Sequence, residues 1–222
     1  MHLTVEPRVL YFGTPVVLLS TSNEDGSANL APMSSAWWVD RSCMLGLDET
    51  SQTTKNLIES RECVLNLASS ELAGAVDRLA LLTGSRVVPD HKRRKGYRYE
   101  PDKFKAAGLT ETASERVRPP RVAQCPVHLE AVVDRVHPFG EEDSGLVAVE
   151  ARVVRVHVEE SLLVPGNRHH IDADRWDPLI MKFCELYGNS RNVHPSRLAS
   201  AWGFGRSTAS SPSVQDMALD IT

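Results

Sequence analysis

Apolar positions along the chain follow two periods, and the switches between them mark out the elements. The first run, Thr14-Pro15-Val16-Val17-Leu18-Leu19-Ser20-Thr21, is rich in β-branched and aliphatic residues and predicts a strand. It ends in Asn23-Glu24-Asp25-Gly26-Ser27, where Asp25-Gly26 tolerates the positive φ angles of a tight hairpin. The returning strand runs from Asn29 to Val39. Pro32 within it cannot donate to a ladder, so an interruption or bulge is expected there, freeing backbone groups to face a ligand. A third strand is predicted at Cys43-Met44-Leu45-Gly46-Leu47. The segment Asp48 to Ser60 then sets hydroxyl-bearing cap residues ahead of apolar residues at helical spacing.

Further along, Cys63 to Leu67 reads as a strand, and Leu72, Val76, Leu79 and Leu82 recur on one helical face that Gly84 would end. A polar loop, His91-Lys92-Arg93-Arg94-Lys95-Gly96-Tyr97-Arg98-Tyr99, precedes a short helical piece near Asp102 to Ala107 and a Pro119-Pro120 break. Val127, Leu129, Ala131 and Val133 alternate with His128, Glu130 and Asp134, which predicts a half-buried strand. Gly145 to Val158 returns across Gly140-Glu141-Glu142-Asp143-Ser144 as its antiparallel partner. The sum is a mainly β fold, an antiparallel β-barrel with a few peripheral helices. From about Ser207 the chain is small and polar. The expected organisation is one domain over 1–206 and a polar C-terminal tail over 207–222, poorly ordered or lent to a neighbouring subunit.

Composition agrees with a packed globular chain: 222 residues, 41% hydrophobic and 24% charged. A net charge of -4 leaves no global positive field for a phosphate backbone, so nucleic acid is not an expected partner. No run of eighteen apolar residues exists and Met1-His2-Leu3-Thr4-Val5-Glu6 lacks the features of a signal peptide, so no membrane association and a cytoplasmic location are expected. Cys43, Cys63, Cys125 and Cys184 lack CxxC spacing and read as buried thiols.

Candidate chemistry concentrates after the third strand. A strand that delivers the chain into a helix N-terminus leaves backbone N–H groups unsatisfied beside a positive partial charge, which favours phosphate. Thr50, Ser51 and Lys55 would add direct donors; the two hydroxyls are equally ordinary helix caps. The basic loop from His91 to Tyr99 is either a solvated loop or an electrostatic clamp for a phosphate-bearing nucleotide. His169 and His170 are metal-ligand types, but neighbours on a strand point to opposite faces, so an exposed loop is the favoured reading and no metal is expected. Trp37 and Trp38 suit either barrel packing or the flank of a ring. No GxGxxG fingerprint is present.

Pro15-Val16-Val17-Leu18, the Asp25-Gly26 turn, Asn29-Leu30-Ala31-Pro32-Met33-Ser34 and the helix from Ser51 resemble the flavin reductase-like family in order and spacing. Glu62 to Leu67, Lys105 to Thr110, Val127 to Glu130, Asp177-Pro178-Leu179-Ile180 and Tyr187 continue the resemblance, which runs from Glu6 to Tyr187. It implies an FMN-binding split barrel and a homodimer with a flavin near each side of the interface; FAD is the alternative flavin, and NADH or NADPH the co-substrate. Carried onto this chain, Ala31, Pro32, Met33, Ser34, Ser35 and Ala36 would run beside the isoalloxazine ring, and Asp48, Thr50, Ser51, Thr54 and Lys55 would hold ribityl and phosphate. Where many relatives carry an arginine after the third strand, this chain has Glu49-Thr50-Ser51, which leaves Lys55 as the expected phosphate cation. No catalytic acid–base pair is expected, since the flavin itself carries hydride transfer. The implied function is an NAD(P)H-dependent flavin reductase, including one that supplies a separate monooxygenase. The alternatives are a flavoprotein whose tightly held FMN reduces another substrate, and a non-catalytic flavin-binding module.

Overall fold

The computed structural model describes residues 1–194 and 196–201. The chain divides into two compact units, Met1–Ser190 and Arg191–Thr222. The tail expected over 207–222 lies outside the described residues.

The first unit opens with β1 (Phe12–Pro15), β2 (Val17–Ser22), β3 (Ala28–Met33), β4 (Ala36–Val39) and β5 (Ser42–Asp48). Helix α1 (Gln52–Ser60) leads to β6 (Glu62–Leu67), and α2 (Ala73–Leu79) to β7 (Leu82–Thr83). Then follow α3 (Asp90–Arg93), β8 (Arg98–Tyr99), α4 (Lys103–Ala107), β9 (Glu111–Thr112) and β10 (Arg121–Val122). Two long strands, β11 (Val127–Phe139) and β12 (Leu146–Val158), precede β13 (Leu163–Val164), β14 (Asn167–Ile171), β15 (Ile180–Lys182) and β16 (Glu185–Tyr187). In the second unit, α5 (Arg197–Ala201) is the one helix among the described residues.

The main sheet has seven strands in the order β3-β2-β6-β11-β12-β5-β4. Its two edge strands are consecutive in the chain, joined only by Ser34-Ser35. Laid flat, six strand spacings of about 4.8 Å would separate the edges by about 29 Å. The chain from Met33 to Ala36 spans at most about 11 Å. The sheet is therefore rolled until its edges meet at this corner, and with no ladder between β3 and β4 among the described residues the barrel is split.

Continuous apolar runs serve this shape because the wall is buried on both faces. Val17 and Leu19 of β2 point into the barrel with Leu45, Leu65, Ala131, Val149 and Ala151, where Leu57 of α1 joins them. Val16 and Leu18 pack outward against Val76 and Leu79 of α2 and Phe104 and Ala107 of α4. Each fully buried Leu or Val contributes roughly 1.5–3 kcal/mol.

Two expectations change. Pro32 sits within β3, paired with Leu18; β3 is an edge strand, where a missing donor costs nothing. The interruption falls at Ser34-Ser35 instead. The helix expected to run to Gly84 stops at Leu79, because Leu82 and Thr83 are drawn into a parallel ladder with Arg98 and Tyr99. That ladder closes the base of the basic loop, a strap whose tip is α3.

Candidate functional site

Where the barrel corner meets the start of α1, a cleft of about 660 Å³ opens. One wall is the end of β3 and the corner after it, Ala31, Pro32, Met33, Ser34 and Ser35; the second is the end of β5 and the first turn of α1, Gly46, Leu47, Asp48, Ser51, Gln52 and Thr53. Val76, Leu79 and Leu82 supply an apolar side, and the strap adds His91, Lys92, Lys95 and Tyr97. Lys103 of α4 closes the set.

The local reasons are plain in the sequence. A Cβ built on Gly46 would lie 3.1 Å from Ser35 Cβ, so glycine lets the corner press against β5, where Gly46 N donates to Ser35 O at 2.8 Å. Ser51 caps α1, its Oγ accepting from Thr54 N at 3.0 Å. The N–H groups of Gln52 and Thr53 remain without an intrahelical acceptor, at the positive end of the helix dipole.

Charge is organised around Asp48. Its Oδ1 accepts from Thr50 N and Thr50 Oγ1 at 2.8 and 2.6 Å; its Oδ2 accepts from His91 Nε2 at 3.0 Å and meets Lys92 Nζ at 3.3 Å. Burial pushes this carboxyl up, but the bonds from Thr50 and His91 and the Lys92 charge outweigh it and hold it at about 2. The basic strap therefore reaches the cleft and is fastened there by an ionised aspartate.

The residues expected in the site divide. Ala31, Pro32, Met33, Ser34, Ser35, Asp48 and Ser51 line the cleft. Ala36 is turned into the barrel core and onto a smaller cavity of about 370 Å³ on the other side of the corner. Thr50 does not line the cleft and instead braces Asp48. Thr54 is fully buried and donates to Asp48 O at 2.8 Å. Lys55 is exposed and outside the cleft lining, because α1 turns Thr53, Thr54, Asn56 and Leu57 inward and leaves Lys55 on the solvent side with Ile58 and Glu59.

The cations facing the cleft are Lys92, Lys95 and Lys103, with His91 beside them. The dense basic cluster signalled the strap; nothing in the spacing of the short helix at Lys103 signalled a buried lysine. Trp37 is 56% exposed and lines the smaller cavity with Met44, Phe139 and Ala148. Trp38 packs against the barrel core. His169 and His170 follow each other on β14 and so face opposite ways.

Comparison with known proteins fits this geometry. The protein YdfE of Bacillus subtilis (strain 168) is 36% identical over 189 residues, covering 85% of this chain and 90% of its own. Among solved structures, the flavoredoxin of Desulfovibrio vulgaris (Miyazaki F) is similar with a TM-score of 0.71 at 20% identity, over 90% of this chain and all of the other. Nitrilotriacetate monooxygenase component B from Bacillus cereus is similar with a TM-score of 0.69 at 20% identity, over 87% of this chain and 98% of the other. The flavin reductase like domain model matches residues 9–174, a span that holds both walls of the cleft and the strap, and the chain belongs to that family of split-barrel proteins.

Proposed function

We propose that this chain is an NAD(P)H-dependent flavin reductase that holds FMN in the cleft. The observation that carries this reading is the convergence of a freed strand corner and a helix N-terminus on one cavity of about 660 Å³. A flavin nucleotide joins a flat, partly apolar ring system to a phosphate, and the two ends of the cleft suit those two parts. Edge strand β3 leaves alternate backbone groups of Ala31 to Met33 without a ladder partner, which suits the polar edge of a ring. At the other end, the N–H groups of Gln52 and Thr53 suit a phosphate.

In this reading Ala31 to Ser35 orient the ring, and Leu79, Leu82 and Leu186 exclude water from its face. Backbone donors at the corner would stabilise negative charge on a ring held there. A flavin held by these residues would supply the hydride-transfer chemistry between a nicotinamide and an acceptor. The strap, with Lys92, Lys95 and Tyr97 toward the cleft, offers charge and a stacking surface to the nicotinamide nucleotide. The likeness to a monooxygenase component supports a role in handing reduced FMN to a separate oxygenase.

The reading extends to a homodimer. Trp37 of edge strand β4 and Phe139 at the end of β11 are exposed large apolar residues that line the smaller cavity, and Val39 of β4 is exposed as well. We infer that a second copy covers them, next to the corner that would carry the ring.

The test is an absorbance spectrum of the purified chain with FMN, followed anaerobically by NADH and then NADPH. Bound-flavin absorbance that bleaches with either nucleotide is expected. Binding without bleaching would remove the nicotinamide step, and no binding would remove the flavin.

A further inference from the structure

We infer that Lys103 is the residue by which the cleft recognises a flavin's phosphate, so that it selects FMN over riboflavin; the inference rests on the flavin reading of the cleft. Lys103 is only 4% exposed, yet it lines the cavity. Its Nζ donates to Asn29 Oδ1 at 3.0 Å. The orientation of that amide is fixed, because Asn29 Nδ2 donates to Thr21 Oγ1 at 3.1 Å and to Thr53 Oγ1 at 3.0 Å, which turns the oxygen to the ammonium. Thr53 belongs to the first turn of α1. A Cβ built on Gly84 would lie 2.6 Å from Asn29 Oδ1 and 3.2 Å from Gln52 Cγ, so glycine lets the chain close over this junction. The ammonium is thus held beside the helix end that offers free N–H groups.

A lysine ammonium has three protons, and here one neutral acceptor engages it and no carboxylate lies within salt-bridge distance among the described residues. A charge buried without a counter-charge is unfavourable. Burial first, then the charge of Lys92, push the Lys103 ammonium down to about 8 against a small opposing pull from Glu100.

The charged groups around Lys103 are mostly cations or are engaged elsewhere. The strap presents His91, Lys92 and Lys95, of which the first two are engaged by Asp48. Asp77 of α2 is on the lining; Glu100, after β8, is taken up by Asp102 N and Arg98. Toward Lys103, β3 presents the neutral Asn29, which Thr53 of α1 braces, and Gln52 and Thr53 line the same cavity. A phosphate dianion supplies the missing counter-charge and meets the N–H groups of Gln52 and Thr53 at once. Lys55, on the solvent side of α1, takes no part.

The linkage gives a second, independent signature. A bound phosphate raises the ammonium's affinity for its proton, so FMN binds best with Lys103 protonated and the phosphate doubly ionised, between about pH 6 and the value near 8 given above. Above it, FMN affinity falls while riboflavin affinity does not.

The experiment measures dissociation constants of FMN and of riboflavin by flavin fluorescence quenching, for the full chain and for Lys103→Met, between pH 7 and 9. Lys103→Met is expected to weaken FMN roughly ten- to hundredfold, the loss of a charge-assisted hydrogen bond, with riboflavin unchanged. In the unaltered chain the preference for FMN is expected to shrink toward pH 9, a readout that decides the matter even if the variant fails to fold. Equal weakening of FMN and riboflavin in the variant, or a preference that is constant with pH, overturns the role of Lys103 and leaves the flavin reading standing. Failure of the unaltered chain to bind either flavin overturns that reading and the inference with it.

Discussion

Asp48 Oδ2 accepts a hydrogen bond from His91 Nε2 at 3.0 Å, and this contact fastens the tip of the strap to the strand end from which α1 departs. Lys92 shares the same oxygen, so one carboxylate restrains two successive side chains. At its base the strap is held by Arg98 N to Leu81 O at 3.0 Å and Glu100 N to Thr83 O at 2.9 Å. A partly exposed contact of modest strength thus fixes the strap's tip against the cleft it lines.

Asp48→Asn is expected to release that latch while the barrel stays folded. Partly exposed ion pairs contribute about 1 kcal/mol, so local opening of the strap should increase roughly fivefold. Trypsin cleavage at Arg93 and Arg94, both exposed on the strap, reads this directly. The carboxyl is held below its ordinary range, so the latch is intact above about pH 4 and is lost as pH falls toward about 2. Equal cleavage rates in the variant and the unaltered chain would show that Asp48 does not restrain the strap.

A buried histidine sets a different pH window. His128, 8% exposed, has its Nδ1 2.9 Å from Asn66 Oδ1; Asn66 Nδ2 donates to Leu18 O and Ser20 Oγ, so Nδ1 carries the proton of a neutral ring. Burial first, then Arg121 and His157, push the imidazole down to about 4. The unfolded chain takes up a proton near pH 6.5 that the folded chain refuses, so stability falls between pH 6.5 and 4 by up to about 3 kcal/mol. Glu130 titrates later. Although burial opposes it, the bonds from Glu115 N, His157 and Arg116 N hold this carboxylate below its usual range. Its contribution is lost only below about pH 4.5. Urea midpoints for the chain and for His128→Gln, at pH 7 and 5, should show the decline in the first and a flatter profile in the second.

Much of this framework was legible in local pattern. The apolar run of β2, the Asp25-Gly26 turn with Gly26 at φ +82 and the long β11–β12 pair are set by residues close in sequence. So is the Ser51 cap. What escaped depends on pairings between distant segments. The corner at Ser34-Ser35 joins opposite edges of a sheet, and no local signal distinguishes that from a hairpin. The β15–β16 hairpin turns on Phe183 at φ +48 and Cys184 at φ +69, residue types that give no turn signal. Lys103 was hidden because a lysine in a five-residue helix ordinarily faces water. Lys55 looked apt because it lies near the helix start, but Thr53, Thr54, Asn56 and Leu57 claim the inward face. Lys55→Ala is accordingly expected to leave FMN affinity unchanged, and a titration showing marked weakening would return it to the site.

Gly84→Ala tests the junction beneath the cleft. The added methyl would meet Asn29 Oδ1 at 2.6 Å, with Gln52 side-chain carbons at 3.2 and 3.3 Å. Asn29 is fixed by Thr21 and Thr53 and cannot yield without breaking buried hydrogen bonds. Overpacking of this kind costs about 1–3 kcal/mol. The melting temperature should drop, and FMN should weaken more than riboflavin, because the displaced groups support Lys103 and the first turn of α1. A variant with unaltered melting and an unaltered FMN-to-riboflavin ratio would show that the junction is soft.

Trp37→Glu tests the assembly. Trp37 pairs with Met44 across the β4–β5 ladder, and its exposed ring borders the cavity that shares Ser34, Ser35 and Gly46 with the main cleft. A carboxylate there is tolerated in a monomer, since β4 is an edge strand open to water. At an interface between copies it would be desolvated without a partner, a penalty of several kcal/mol. Light scattering should report a dimer for the unaltered chain and a monomer for the variant, with circular dichroism unchanged. Because the dimer would cover the corner proposed to carry the ring, FMN affinity should fall together with the mass. A monomeric parent chain would remove the interface, and a variant that stays dimeric would move it to another face of the barrel.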